Sequence, residues 1–212
     1  PVALLKSAGR CTLAGGLQSR APEMNKIEAW PDLPWTAWAG TCEALHLWSQ
    51  IVGKVRMVLT PLVNHWWKVA FHVTSRGLSA SSIPCGARTF DVDFDFAAHK
   101  LFIRASDGAR AELPLKSGSV AAFYEDFLQC LERLGIGVHI WTMPSEIDNG
   151  VPFEQDVAGR PYDPVWAERF AQVQPVLDPV PGVFFQRTTG RVSAGENFAL
   201  HVLGRYDEVT AE

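Results

Sequence analysis

Between residues 88 and 105 the chain alternates apolar and polar side chains with a period of two. Phe90, Val92, Phe94 and Phe96 fall on one side, and Asp91, Asp93 and Asp95 on the other. Leu101 and Ile103 then share a side, with Phe102 and Arg104 opposite. This spacing predicts two antiparallel strands, 88–96 and 101–105, with an apolar face buried and an acidic face in water. A loop over Ala97–Lys100 sets Phe96 opposite Leu101, and a shift of two positions keeps the faces matched. A slip of one residue would bury the aspartates. So large an apolar face needs a second layer, which the rest of the chain must supply.

Three helical patterns can supply it. Trp38, Cys42, Leu45, Trp48, Ile51, Val52, Val55 and Leu59 recur at helical spacing over 36–59, and Pro61 closes the run. Gly40 and Gly53 weaken that helix by up to ~1 kcal/mol each, so packing must hold it. His46, Gln50 and Lys54 form a separate stripe at i, i+4, i+8. A second helix starts from a cap at Ser117 or Ser119, carries Val120, Phe123, Phe127, Leu131 and Leu134, and stops at Gly135. The third opens at Asp163-Pro164 and carries Trp166, Phe170 and Val173.

Further strands are expected at 66–75 and 110–115, with a short one at 137–141 and a loop over 142–162. In the first of these, Trp67, Val69, Phe71 and Val73 alternate with Trp66, Lys68, Ala70, His72 and Thr74. Beyond Pro175 the pattern breaks into weak strand-like runs at 183–187 and 198–203. The expectation is an α+β fold, an antiparallel meander of four to five strands with helices packed on one face. One domain spans 29–175, preceded by an upstream extension at 1–28, where Met24 reads like a natural start, and followed by an aberrant tail at 176–212.

Composition narrows the class. At 212 residues, 47% hydrophobic and with eight tryptophans, the chain can bury a substantial core. A net charge of −4 gives no attraction toward nucleic acid or an anionic membrane, and no apolar run approaches the ~20 residues of a spanning helix. Neither is expected as a partner. Cys11, Cys42, Cys85 and Cys130 stand far apart, without the spacing of a zinc or redox motif, so reduced thiols and a cytosolic location are expected.

LHLWSQIVGK (45–54), PLVNHWWKVAFHVTSRGL (61–78), SIP (82–84), FDFAAHKL (94–101), SVAAFY (119–124) and the PF…D…YD series (152–163) together resemble the bacterial family catalogued as domain of unknown function 5996. The resemblance covers roughly Trp30 to Val173. It implies no catalytic residue, because the family has no assigned activity. The chain departs from the family pattern at Gly159, where members carry histidine, and beyond Pro175, where it reads as truncated or frame-shifted.

Candidate ligand-binding residues cluster in the aromatic stretch and the helix before it: His46, Asn64, His65, Trp66, His72 and Arg76. They mix apolar walls with a few donors and acceptors, as ligand sites do. His72 would serve as a general base if its strand adjoined the acidic one; a solvated histidine is the blander reading, and the preferred one. Arg76 and the small residues Ser79–Ser82 offer a loop for an anion. Three aspartates in a row suit Mg²⁺ or Ca²⁺, but a straight row cannot surround an ion, so a solvated face matched by Arg104 and Lys100 is preferred. Glu146 and Asp148 with His139 lack metal spacing, and no metal site is expected. No GxSxG, HExxH or GxGxxG occurs, which leaves catalytic residues and cofactor unassigned. Two functions stay open: a small-molecule-binding protein or enzyme, and a non-catalytic interaction module using Trp30, Trp35 and neighbouring aromatics.

Overall fold

The computed structural model describes residues 32–62, 68–145, 147, 149–177, 183–186 and 191–194, with backbone alone from 173 onward. In chain order the elements are α1 (Trp35–Leu59), β1 (His72–Thr74), β2 (Gly77–Ser79), β3 (Ile83–Cys85), β4 (Arg88–Asp95), β5 (Lys100–Ala105), β6 (Arg110–Pro114), β7 (Gly118–Ser119), α2 (Val120–Arg133), β8 (Gly159–Arg160), α3 (Pro164–Leu177), β9 (Val183–Gln186) and β10 (Arg191–Ala194). The architecture is α+β. One antiparallel sheet runs β1-β2-β4-β5-β6, and β3 also pairs with β4.

β2 and β3 lie along the same edge of β4 and behave as one bulged strand. Leu78 opposes Phe94 and Ile83 opposes Phe90, so five steps on one side match four on the other. The extra residue is taken up near Ser81, whose φ is +58° and whose amide donates to Ser79 Oγ. Such a bulge bends the strand and raises its twist. Counted this way the sheet is a five-stranded meander in sequence order. The sequence reading took this stretch for a loop, because Ser-Ala-Ser-Ser has neither alternation nor β-branched residues.

The hairpin register is the one shifted by two: Phe94 opposes Leu101, Asp95 opposes Lys100, and the turn spans 96–99. Phe90, Val92, Phe94, Leu101, Ile103 and Leu113 form the buried face. On the other side Asp93 pairs with Arg104, whereas Lys100 is taken by Glu112. Asp95 is the exception to the exposed acidic face. It is 6% exposed, accepts from Arg76 Nε at 2.6 Å, and caps the turn amides of Ala97 and Ala98.

Of the expected strand at 66–75, residues 66 and 67 lie outside the described residues, Lys68 and Val69 form a helical turn, and the strand itself is β1; Val69 and Phe71 are nonetheless buried. No strand forms at 137–141. Within 142–162 the chain makes a short helical turn at Phe153–Gln155 and pairs β8 with β7. α3 continues past Pro175 to Leu177, and the run expected at 183–187 forms β9, which pairs with β10; the run at 198–203 lies outside the described residues. The expectations for residues 1–28 fall outside them too.

Caps follow the sequence. Ser119 Oγ accepts from the Ala122 amide, Asp163 Oδ1 accepts from Val165, and Gly135 at φ +71° ends α2 while the Ile136 amide donates back to Leu131. α1 is the central element. It touches α2, α3, β3 and β8 and is buried on nearly every side from Ala44 to Arg56, polar residues included. Gly40 makes one of these contacts possible: a Cβ there would lie 2.5 Å from Pro161 Cγ.

Candidate functional site

The stripe His46, Gln50 and Lys54 does not lie on a solvated flank. These residues are 9%, 1% and 7% exposed, because Trp141, Ser145 and Phe153, from the described part of the segment 141–153, lie over that side of α1. Burying polar groups is costly unless each finds a partner, so their contacts describe the site.

Gln50 is fully committed. The Ser145 amide donates to its Oε1 at 2.7 Å, and its Nε2 donates to the Ser145 carbonyl at 3.1 Å. The second Nε2 proton points at His46 Nε2, 3.2 Å away. Since the amide nitrogen only donates, His46 accepts there and carries its own proton on Nδ1. Gln50 thus fastens Ser145 to the helix as a neighbouring strand would.

Lys54 is less well provided for. Its Nζ reaches Ser145 Oγ at 3.3 Å and lies 5.0 Å from the Trp141 ring centre and 6.0 Å from that of Phe153. Burial pushes its pKa down. The ion pairs among the described residues use Arg76, Arg88, His99, Lys100, Arg104 and Arg160, and none of them involves Lys54. Two ammonium protons are left facing the aromatic segment. Phe153 is the buried floor, and Trp141 is 72% exposed above it.

The candidates read from the sequence are scattered by the fold. His46 belongs to this site. Asn64, His65 and Trp66 lie outside the described residues. His72 is exposed on β1, and β2 separates it from the acidic β4: His72 opposes Ser79, which opposes Asp93. Two strand spacings, about 10 Å, lie between His72 and that carboxylate, so the general-base contact is not made. Arg76 is committed to Asp95, which holds its pKa up. Burial pushes the Asp95 carboxyl up, but Arg76 and the two turn amides outweigh it and hold its pKa below the ordinary value. Its backbone role is equally fixed, since the Phe96 amide donates to the Arg76 carbonyl.

Lys54, Ser145 and Trp141 were missed as site residues. The i, i+4, i+8 stripe was the available signal, but nothing local to α1 announces which segment covers it. A second cluster was missed as well. Tyr162 OH lies 3.1 Å from His99 Nδ1, and His99 Nε2 lies 3.3 Å from Glu168 Oε1. Tyr162 is buried against Trp48, and that burial pushes its phenol pKa up, so it stays a donor. His99 sits at φ +51° in the 96–99 turn. The cluster ties that turn to α3 and satisfies a buried hydroxyl. Among the described residues no group of three His, Cys, Asp or Glu side chains could hold a metal ion.

Both clusters draw on the motifs quoted above, His46, Trp48, Gln50 and Lys54 from LHLWSQIVGK, His99 from FDFAAHKL, and Phe153 and Tyr162 from PF…D…YD, whereas Trp141, Ser145 and Glu168 lie outside them. The model of the Family of unknown function (DUF5996) matches residues 30–201. The chain belongs to this family. The match runs past Val173, where the motif resemblance ended, and takes in β9 and β10. No curated protein and no solved structure gives a significant match. Gly159, the departure from the family's histidine, is exposed on β8, and a Cβ there would meet nothing within 4 Å.

Proposed function

We propose that this protein binds a small molecule over the Lys54 face of α1, between Trp141 and Ser145. The observation that supports the reading is Lys54 itself, a buried lysine whose ammonium has one hydroxyl partner and two aromatic neighbours among the described residues. A cation held out of water costs several kcal/mol unless something compensates it, so a chain that keeps one there has a use for it. Aromatic walls around few polar groups are the usual make-up of a ligand site.

Lys54→Met keeps the length and removes the charge. A small molecule that raises the melting temperature of the wild-type chain should fail to raise that of Lys54→Met, while the variant stays folded by circular dichroism. Equal stabilisation of both would place the ligand elsewhere. A second reading, a non-catalytic interaction module, draws on the exposed Trp141 and Val151 of the same covering segment and Val157 just after it, with Trp35 at 39% exposure; Trp30 lies outside the described residues. It predicts that Trp141→Ala abolishes a protein contact and leaves small-molecule binding untouched. Among the described residues no helix is long and apolar enough to cross a membrane. Cys85 and Cys130 are free thiols, which supports a reducing, cytosolic setting.

A further inference from the structure

We infer that the group received at Lys54 is the carboxylate of a monoanionic organic acid with a flat apolar body. This rests on the reading of the Lys54 face as a small-molecule site and adds the chemistry of its ligand. The donor inventory carries the argument. Gln50 has no hydrogen bond left to give: both amide protons and the carbonyl are engaged by Ser145 and His46. What remains is two Nζ protons of Lys54 and the hydroxyl proton of Ser145, whose oxygen already accepts from Lys54.

Lys54 carries a positive charge and can only donate, so the complementary group is an anion that accepts from it, with the Ser145 hydroxyl free to donate alongside. They sit side by side, with Nζ and Oγ 3.3 Å apart, a spacing that lets each serve one oxygen of the same carboxylate. A neutral amide would leave the charge of the buried ammonium uncompensated. A phosphate monoester would bring two negative charges to one buried positive charge, and the surplus would stay uncompensated away from water.

The body of the ligand is set by the rings. Phe153, 0% exposed, closes the floor, and Trp141, 72% exposed, offers a face still open to water. A planar apolar group stacking on that indole would cover it while its carboxylate reaches the ammonium.

Benzoate, benzamide and phenyl phosphate test this on the full chain, with affinity from titration calorimetry. The indole N–H resonance of Trp141, assigned from Trp141→Phe, reports the location. Benzoate should bind at least tenfold more tightly than the other two and shift that resonance. Lys54→Met should erase the preference, Lys54→Arg should keep it, and Ser145→Ala should reduce it several-fold, so the test stands even if one variant folds poorly. Benzamide or phenyl phosphate binding as well as benzoate, with the Trp141 resonance shifting, would overturn the carboxylate assignment and leave the small-molecule site standing. No shift with any of the three would overturn both.

Discussion

Phe94 and Asp93 are neighbours whose roles differ by the direction in which one strand turns them. Phe94 is 2% exposed and packs on Phe71 and Phe96, at ring separations of 5.9 and 6.4 Å. Asp93 holds a half-exposed ion pair with Arg104. Phe94→Ala should therefore cost about 3–5 kcal/mol, through lost transfer energy and the cavity left behind. Asp93→Ala should cost less than about 1 kcal/mol, since water already solvates that pair. Urea unfolding of the two variants reads the difference, and equal costs would contradict the face assignment. Lys54 sets the opposite case, because its burial lowers its pKa. The folded state then holds that proton less tightly than the unfolded chain, so the penalty is present at neutral pH and eases as pH rises toward 10.5, the ordinary lysine value.

At the scale of elements, α1 and the stretch Pro161–Asp163 are fitted to each other. Gly40 is a poor helix former, and replacing it by Ala in a free helix would gain about 1 kcal/mol. Here the added methyl would meet Pro161 Cγ at 2.5 Å and Cδ at 3.2 Å. Overpacking of this kind costs about 1–3 kcal/mol, so Gly40→Ala should lower the melting temperature despite the better helix propensity. A rise would mean that the proline ring moves aside. The same segment is pinned nearby, where the Asp163 amide donates to Thr41 Oγ1 and the Tyr162 amide to Ser117 Oγ. A shift of Pro161 would therefore be felt at Tyr162 and the His99 contact.

For the whole molecule, acid stability should be set in good part by Asp95, the buried carboxylate joining the β1–β2 turn to the hairpin. Its pKa is lowered in the fold. The unfolded chain binds that proton first, so the stabilisation is full above the ordinary value of 3.8 and is lost as pH falls through the lower folded value. Asp95→Asn keeps the shape and removes the titration. Unfolding midpoints measured from pH 6 downward should fall more gently below pH 4 for the variant than for the wild type. Parallel curves would show that Asp95 is not the group that fails in acid.

Wherever local pattern and packing agree, the sequence alone was sufficient. The alternation of Phe90, Val92, Phe94 and Phe96, the helical stripe of Trp38 to Val55, and the caps at Ser119, Gly135 and Asp163 each express a rule that acts within one or two turns or strands. Three things needed the tertiary structure. The bulge at Ser81 is set by the register of β4, not by its own residues. Asp95 is buried because Arg76 and the 96–99 turn reach it from outside its strand. The row His46, Gln50 and Lys54 became a candidate site only when residues 141–153, some ninety positions along the chain, covered it. Periodicity tells a side chain which way it points; what waits there is decided by segments remote in sequence, because burial and desolvation are properties of the packed assembly.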